Sequence, residues 1–267
     1  MPTTTTLEEL LDDLADEQRA LDAVLAQIGE AQWDLPTHAA GWSVRDQVSH
    51  LAHFDETAAL AITDVEAFRA DAARVREDTG YARRYLARGR AMTPPALLVW
   101  WRGAGAALVE AGRGVDPKAR LPWYGPAMSA TSFLTARLME TWSHGLDVVD
   151  VVGVARPDTD RLRHVVFLGV RTRDFSYITR GQTPDLRPVR VELTAPSGTT
   201  WVYGEANAHD RITGPARDFC CVVTQRRHVA DTNLDVTGPA AEEWMRLAQA
   251  FAGAPGEGRR AGQFPRR

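Results

Sequence analysis

The chain has 267 residues, of which 44% are hydrophobic and 25% charged, and its formal net charge at pH 7 is −4. These values are typical of a soluble globular protein with one large or two ordinary domains, and they exclude bulk electrostatic binding to nucleic acid. No apolar run reaches the roughly 18 residues of a membrane span, and the N-terminus lacks the pattern of a secretory signal, so we expect a cytoplasmic protein.

The first half of the chain has the apolar periodicity of amphipathic helices. Capping boxes predict where the first two helices begin, a proline pair interrupts the third region, and Ser129 or Thr131 caps the fourth. The four helical regions cover about residues 6–28, 43–62, 78–113 and 130–152. Such a series predicts an antiparallel helix bundle.

The second half of the chain changes from helical to strand periodicity. A fifth helix is predicted from Pro157 to about Thr179, and alternation at 188–194 and 200–203 then predicts two strands. Two short strand–Gly–Pro–helix units follow. The predicted fold class is therefore α+β, with a four-helix bundle followed by a small α+β domain. The predicted segments are the bundle at 1–155, a bridging helix at 156–182, the small domain at 183–255 and a basic flexible tail at 256–267.

The fourth helix carries three titratable groups on one side. Glu140 and His144 are four residues apart and Asp147 is three further on, so they share a helix face that also carries apolar residues. A charge on a buried face must be compensated, and a divalent metal does so. Carboxylate oxygen and imidazole nitrogen suit zinc and other first-row ions.

A third ligand has to come from another helix, and the second helix offers two histidines. His50 is the better candidate, because facing helices of a bundle bring their side chains together in the core. His53 is an alternative, one helical step around and nearer the rim. A site of His50, Glu140 and His144 keeps open positions, as reactive sites do. Asp147 would then orient His144 or a bound water, and we group it with His53 as catalytic support.

Other residues near these helices are candidates for binding the substrate or cofactor. Trp123 and Tyr124 precede the fourth helix and would flank the cleft; a hydrophobic plug over the bundle end is an equal alternative. Arg137 lies one turn before Glu140 and would meet an anionic group, although a surface salt bridge is the commoner role. The adjacent Cys220 and Cys221 form neither a disulfide framework nor a zinc knuckle and are predicted to be core residues.

Two segments carry a family resemblance. GWSVRDQVSHLAHFD at 41–55 and ARLMETWSHGLDVVD at 136–150 resemble the mycothiol-dependent maleylpyruvate isomerase N-terminal family, within the DinB-like metal-binding helix bundles. The resemblance implies a divalent metal, typically zinc, on His50, Glu140 and His144; nickel, iron or manganese also suit such ligands. The rest of the chain resembles an actinobacterial subgroup of metal-binding proteins, and its small α+β tail is similar to the sterol-carrier-like domain that follows the bundle in the isomerase. The segment GPARDFCCVVTQRRH at 214–228 also resembles a wyosine-base-formation module, but it lacks an iron–sulfur cysteine triad.

The resemblance implies an enzyme that uses a low-molecular-weight thiol, mycothiol or a similar one, against a small electrophile. It would be an S-transferase or a cis–trans isomerase. Two alternatives stay open: a metal-dependent hydrolase that uses bound hydroxide, and a non-enzymatic protein that binds an apolar ligand around a structural metal. The expected partners are a small-molecule substrate and the thiol, with no nucleic acid and no membrane, and a homodimer is left open.

Overall fold

The computed structural model describes residues 5–77 and 80–264, which fall into two compact units, residues 5–156 and residues 157–264. The described part of the first unit contains six α-helices: α1 (Leu7–Leu25), α2 (Val44–Thr63), α3 (Val65–Glu77), α4 (Tyr81–Arg90), α5 (Pro94–Gly112) and α6 (Ala130–Val152). A short antiparallel pair, β1 (Arg120–Leu121) and β2 (Met128–Ser129), precedes α6. No helix in the described residues is long and apolar enough to cross a membrane.

The four longest helices, α1, α2, α5 and α6, pack on one another as a bundle. Their apolar faces meet in a core that includes Leu21, Val48, Leu51, Trp101 and Val148. Both capping boxes are present. The hydroxyls of Thr6 and Ser43 each accept a hydrogen bond from the backbone amide of the third helical residue, and the carboxylate of that residue accepts one from the backbone amide of the capping residue. The predicted helix-bundle part of the α+β fold is confirmed.

The third helical region is more divided than the sequence indicates. The prolines do restart a helix, with Thr93 as the N-cap of α5, but α4 is a separate helix before them and α3 was not predicted. Residues 78 and 79 of the predicted region lie outside the described residues. Helix α4 lies close against α2 at Gly89, where a Cβ atom would overlap the hydroxyl of Ser49. A glycine there permits this close approach.

The second unit combines a small sheet with short helices. Its elements are α7 (Leu162–Arg171), α8 (Arg173–Ile178), β3 (Val189–Thr194), β4 (Thr200–Tyr203), β5 (Asp210–Pro215), α9 (Ala216–Val223), β6 (Asp235–Thr237) and α10 (Pro239–Leu247). The sheet order is β4-β3-β5-β6, with β3 and β5 parallel and the outer pairs antiparallel. The two strand–helix units of the sequence are β5–α9 and β6–α10.

Two expectations for this unit need correction. The single helix from 157 to 179 is wrong: α7 and α8 are separated at Thr172, which leaves helical geometry while its hydroxyl donates to the Leu168 carbonyl at 2.8 Å. The tail is anchored rather than loose as far as Phe264, since the backbone amides of Gly262 and Phe264 donate to the Asp231 carboxylate at 2.7 and 3.2 Å. The last three residues of the tail lie outside the described part.

Candidate metal centre

The three predicted metal ligands lie together between α2 and α6. His50 is in the middle of α2, and Glu140 and His144 are on successive turns of α6. Their donor atoms all lie within 4.8 Å of one another. Nε2 of His50 is 3.3 Å and Nε2 of His144 is 3.0 Å from the same carboxylate oxygen of Glu140. Between 11% and 19% of each side chain is accessible, so a ligand can reach the cluster from outside.

A buried glutamine determines how His144 faces this cluster. The hydroxyl of Thr37 donates to the Trp42 carbonyl at 2.9 Å and therefore accepts from Nε2 of Gln47 at 2.8 Å. This orientation leaves the Gln47 oxygen, which can only accept, 2.5 Å from Nδ1 of His144. Nδ1 of His144 must then carry the hydrogen, and the lone pair of a neutral ring lies on Nε2.

This tautomer places two electron-rich atoms against each other. The Nε2 lone pair of neutral His144 meets a carboxylate oxygen of Glu140 at 3.0 Å, and a second imidazole nitrogen approaches the same oxygen. Such a contact is unfavourable unless a metal ion or a second proton on the ring lies between the nitrogen and the oxygen. Two imidazole nitrogens and a carboxylate oxygen are ligands that zinc and related divalent ions prefer, so the donor set fits such an ion.

The protonation states of His50 and Glu140 also suit a metal. Burial, with the nearby His144, lowers the pKa of His50 to about 3 against the partial opposition of Glu140. Burial alone would raise the pKa of Glu140, but the adjacent imidazoles of His144 and His50 hold that pKa well below its usual value. A neutral imidazole and an ionised carboxylate are the forms that bind metal, so binding at pH 7 needs no proton removed from either group.

The two residues predicted to support catalysis lie at different distances from the cluster. Asp147 is buried, but its carboxylate is 3.9 Å from Nδ1 of His144, longer than a hydrogen bond. The position expected for Asp147 is taken by Gln47, and a role for Asp147 stays a prediction. His53 is not one of the three converging donors.

His53 belongs instead to a hydrogen-bonded chain beside the cluster. Its Nε2 lies 2.6 Å from the Tyr81 hydroxyl, which is 2.8 Å from the Tyr124 hydroxyl, and that hydroxyl donates to Asp71 at 3.3 Å. Burial lowers the pKa of His53 to about 4, and Glu56 opposes the shift only in part. The ring is therefore neutral at pH 7 and stacks 4.8 Å from Tyr85.

Arg137 forms a buried ion pair rather than a surface one. Its Nε and Nη2 atoms donate to one oxygen of Asp55 on α2 at 3.0 and 2.8 Å, and both side chains are almost completely buried. Burial raises the pKa of Asp55 even though Arg137 opposes the shift. The pair joins α6 to α2 one turn from Glu140, where it helps to set the spacing of the ligand-bearing helices. The predicted binding of an anionic group by Arg137 stays a prediction.

Trp123 and Tyr124 lie in an aromatic cluster next to the candidate ligands. Trp123 stacks on Phe68 at 5.7 Å and meets Phe133 edge-on at 5.1 Å. Both residues lie 6.1 Å from the ring of Phe54, which in turn lies 4.6 Å from the ring of His50. One ring therefore separates this loop from the cluster, and the predicted contact with substrate stays a prediction.

Three residues near the cluster were not predicted from the sequence. The indole of Trp42 is 5.8 Å from the His144 ring and nearly parallel to it, and it is 5.3 Å from His50. The hydroxyl of Tyr85 is 3.4 Å from Nδ1 of His50. Only Gln47 left a signal in the sequence, because a residue three positions before His50 shares its helix face.

The two cysteines are buried in the second unit, and burial raises the pKa of both thiols, that of Cys221 to about 12. Buried thiols with raised pKa values are unreactive, which agrees with the prediction that both cysteines are core residues. A family model described as "Wyosine base formation" matches residues 185–237, the sheet region that contains this pair.

Solved structures resemble both units. The crystal structure of the mycothiol-dependent maleylpyruvate isomerase aligns with a TM-score of 0.57 at 17% identity, covering 84% of this chain and 90% of that one. A point mutant of that isomerase aligns with a TM-score of 0.56 over the same shares. At this identity the likeness establishes the fold.

Sequence comparisons establish the relationship. Two curated relatives from Mycobacterium tuberculosis, "Uncharacterized protein MT0041" of strain CDC 1551 / Oshkosh and "Uncharacterized protein Rv0036c" of strain ATCC 25618 / H37Rv, are each 44% identical over 248 residues, 92% of this chain and 96% of theirs. The family model "Mycothiol maleylpyruvate isomerase N-terminal domain" matches residues 14–149, which include all three candidate ligands. Since that match spans half of the chain, the protein belongs to the mycothiol maleylpyruvate isomerase N-terminal domain family.

Proposed function

We propose that this protein is a metal-dependent enzyme that uses a low-molecular-weight thiol, mycothiol or a similar one, as the nucleophile on a small electrophilic substrate. The observation that carries the proposal is the convergence of His50, Glu140 and His144 within 4.8 Å at an accessible place in the bundle. Family membership supports the thiol, because the family and the solved relatives are named for a mycothiol-dependent isomerase.

The three side chains would hold a divalent ion, with zinc first and nickel, iron or manganese as alternatives. A bound metal with open positions lowers the pKa of a thiol and keeps it as the nucleophilic thiolate near pH 7. This supply of a thiolate would explain why the chain needs no reactive cysteine of its own, its two thiols being buried.

The protein's own residues would prepare this site for chemistry. Gln47 keeps the Nδ1 hydrogen of His144 turned away from the cluster and leaves Nε2 as the ligand atom. The rings of Trp42, Phe54 and Tyr85 surround His50 and limit the entry of water. Less water around the cluster strengthens the electrostatic interactions inside it.

The proposed reaction begins with attack of the thiol sulfur on an electrophilic carbon. A C–S bond forms while the π pair of a conjugated carbon–carbon double bond moves onto the adjoining carbonyl group, and the proton of the thiol leaves to solvent or to a nearby base, for which His53 and Asp147 are the candidates. A transferase retains the C–S bond, and the displaced electron pair takes up a proton. In a cis–trans isomerase the carbon–carbon bond, now single, rotates; the electron pair then returns, the double bond forms again and the thiolate is expelled. Both reactions use the same arrangement of side chains.

Metal analysis of the purified protein and its variants tests the ligand assignment. We expect about one equivalent of divalent metal in the wild type and loss of that metal in His50→Ala, Glu140→Ala and His144→Ala. His209→Ala, which removes an exposed histidine of the other unit, is the matched control and should retain metal. Full occupancy in all three ligand variants contradicts the assignment.

A thiol-dependence assay then tests the chemistry. The metal-loaded protein should consume an electrophile only when a small thiol is added, and chelation should abolish the reaction while the circular dichroism spectrum persists. Cleavage of an ester or amide without thiol would instead identify a hydrolase. Metal removal that lowers only the melting temperature, with no reaction lost, would indicate a structural ion.

A further inference from the structure

A cavity of about 340 Å³ lies on the face of the bundle that α1 and α5 form together. The candidate metal ligands are on α2 and α6, and none of them lines this cavity. Its wall includes the apolar side chains of Ala15, Ala106 and Val109, together with Trp101, which belongs to the hydrophobic core of the bundle. A cavity of this size with a largely apolar wall suits a small organic molecule.

Two hydrogen-bond donors at this cavity are buried without an acceptor. Nε1 of Trp101 and Nε2 of Gln18 are hidden from solvent, and neither has a hydrogen-bond partner among the described residues. The whole Trp101 side chain is buried, so bulk water does not satisfy its N–H group. Unpaired buried donors are rare in folded proteins, because each has given up its hydrogen bond with water, and each calls for an explanation.

A glycine on α5 brings the two donors close together. A Cβ atom at Gly105 would lie 2.7 Å from Nε2 of Gln18, so the Gln18 amide lies directly on the backbone of α5 at this position. Trp101 is four residues before Gly105 and therefore on the same face of the helix. Since no hydrogen bond holds the Gln18 nitrogen, the amide can turn to admit one acceptor atom that then binds both N–H groups.

The charges around the cavity determine which kind of acceptor fits. Helix α1 carries seven acidic residues and one basic residue. The arginines at the rim are already paired with carboxylates: Arg19 with Asp16, Arg102 with Asp22 and Arg113 with Glu8. An anion would therefore be repelled by this face, while a cation would meet the N–H donors of Trp101 and Gln18. A neutral acceptor, such as a carbonyl oxygen, avoids both penalties.

From these observations we infer that the α1–α5 cavity binds a small neutral molecule with an apolar body and a carbonyl oxygen. The oxygen accepts hydrogen bonds from Nε1 of Trp101 and Nε2 of Gln18, and the apolar body lies against Ala15, Ala106 and Val109. This site is separate from the metal cluster and does not depend on the proposed function. Binding there needs neither metal nor thiol.

NMR titration of the full-length protein tests the hydrogen bond directly. The probes are acetophenone, which has a neutral carbonyl; cumene, which has a similar shape and no acceptor; and benzoate, which has a charged carboxylate instead. We expect acetophenone to move the indole N–H resonance of Trp101 downfield, in the metal-free and the metal-loaded protein alike. Trp101→Phe identifies that resonance. Trp100→Phe is the matched control, because the N–H of Trp100 already donates to Glu56 at 3.3 Å.

Affinities of the variants, measured from the NMR signals of acetophenone itself, test the contribution of the amide. Gln18→Leu removes one donor and keeps an apolar side chain, so the dissociation constant should rise roughly tenfold. Gln27→Leu changes an exposed glutamine just after α1 and is the matched control, which should bind like the wild type. If Trp101→Phe does not fold, Gln18→Leu still decides, since Gln18 is not a core residue. Equal binding of cumene and acetophenone, tighter binding of benzoate, or a Trp101 resonance that acetophenone does not move would each overturn the inference.

Discussion

Replacing Gln47 with leucine is expected to weaken metal binding while leaving the bundle folded. Gln47 is completely buried and accepts a 2.5 Å hydrogen bond from Nδ1 of His144. In the variant this buried N–H loses its acceptor, which costs about 1–3 kcal/mol, and the ring is no longer held in one orientation. Since 1.4 kcal/mol corresponds to a factor of ten, the dissociation constant should rise by roughly 10–100-fold, the usual effect of losing a group that orients a metal ligand.

The measurement is a competition for Zn²⁺ between the protein and a chromophoric chelator at constant pH. Ser49→Ala is the matched control: Ser49 is also buried on α2, but its hydroxyl donates to the Arg45 carbonyl at 2.7 Å and not to a ligand. It should bind zinc like the wild type. If Gln47→Leu is folded by circular dichroism and still has wild-type zinc affinity, Gln47 does not orient His144.

Three further changes test the packing and the charges around the site. Arg137→Met should lower the free energy of unfolding in urea by roughly 3–5 kcal/mol, because it leaves Asp55 buried without its partner. Adding Asp55→Leu should recover part of that loss. A single variant as stable as the wild type would show that the pair is unimportant. The pKa of His53 is about 4 in the folded protein against 6.5 for the free side chain, so the metal-free protein should lose stability as the pH falls from 6.5 to 4. His53→Gln should lose less over that interval, by on the order of 3 kcal/mol, and equal pH dependence in both proteins would contradict the shift. Gly89→Ala should lower the free energy of unfolding by about 1–3 kcal/mol, because the new methyl group overlaps α2. Gly103 has open space around it, so Gly103→Ala should raise the free energy of unfolding by about 0.5–1 kcal/mol. A change of the same sign in both variants would refute the close approach of α4 to α2.

Local signals predicted most of the fold. The capping boxes at Thr6 and Ser43 and the proline restart at Thr93 depend on neighbours three residues away, so they can be read from sequence and are present in the structure. The division at Thr172 was missed because nothing in its immediate sequence breaks a helix. Helix α3 was missed as well.

The candidate site could be predicted from the sequence only in part, because some of its contacts depend on how the helices pack. Glu140 and His144 are one turn apart, so helical periodicity places them on one face whatever the rest of the chain does. Whether His50 or His53 joins them depends on how α2 is rotated against α6, and packing brings His50 into the cluster. Periodicity also favoured Asp147 as the partner of His144, whereas the structure gives that hydrogen bond to Gln47 from the opposite helix.

By itself, the sequence determined most of the helices, their caps, the α+β class, the family and the two candidate ligands that share a turn, because all of these depend on short-range spacing or on matched motifs. Only the tertiary structure decided the third converging donor, the orientation of His144 by Gln47 and the buried pair of Arg137 with Asp55. Each of these joins residues more than 40 positions apart. The physical reason is that the rotation and spacing of packed helices are set by the whole core, and no local pattern records them.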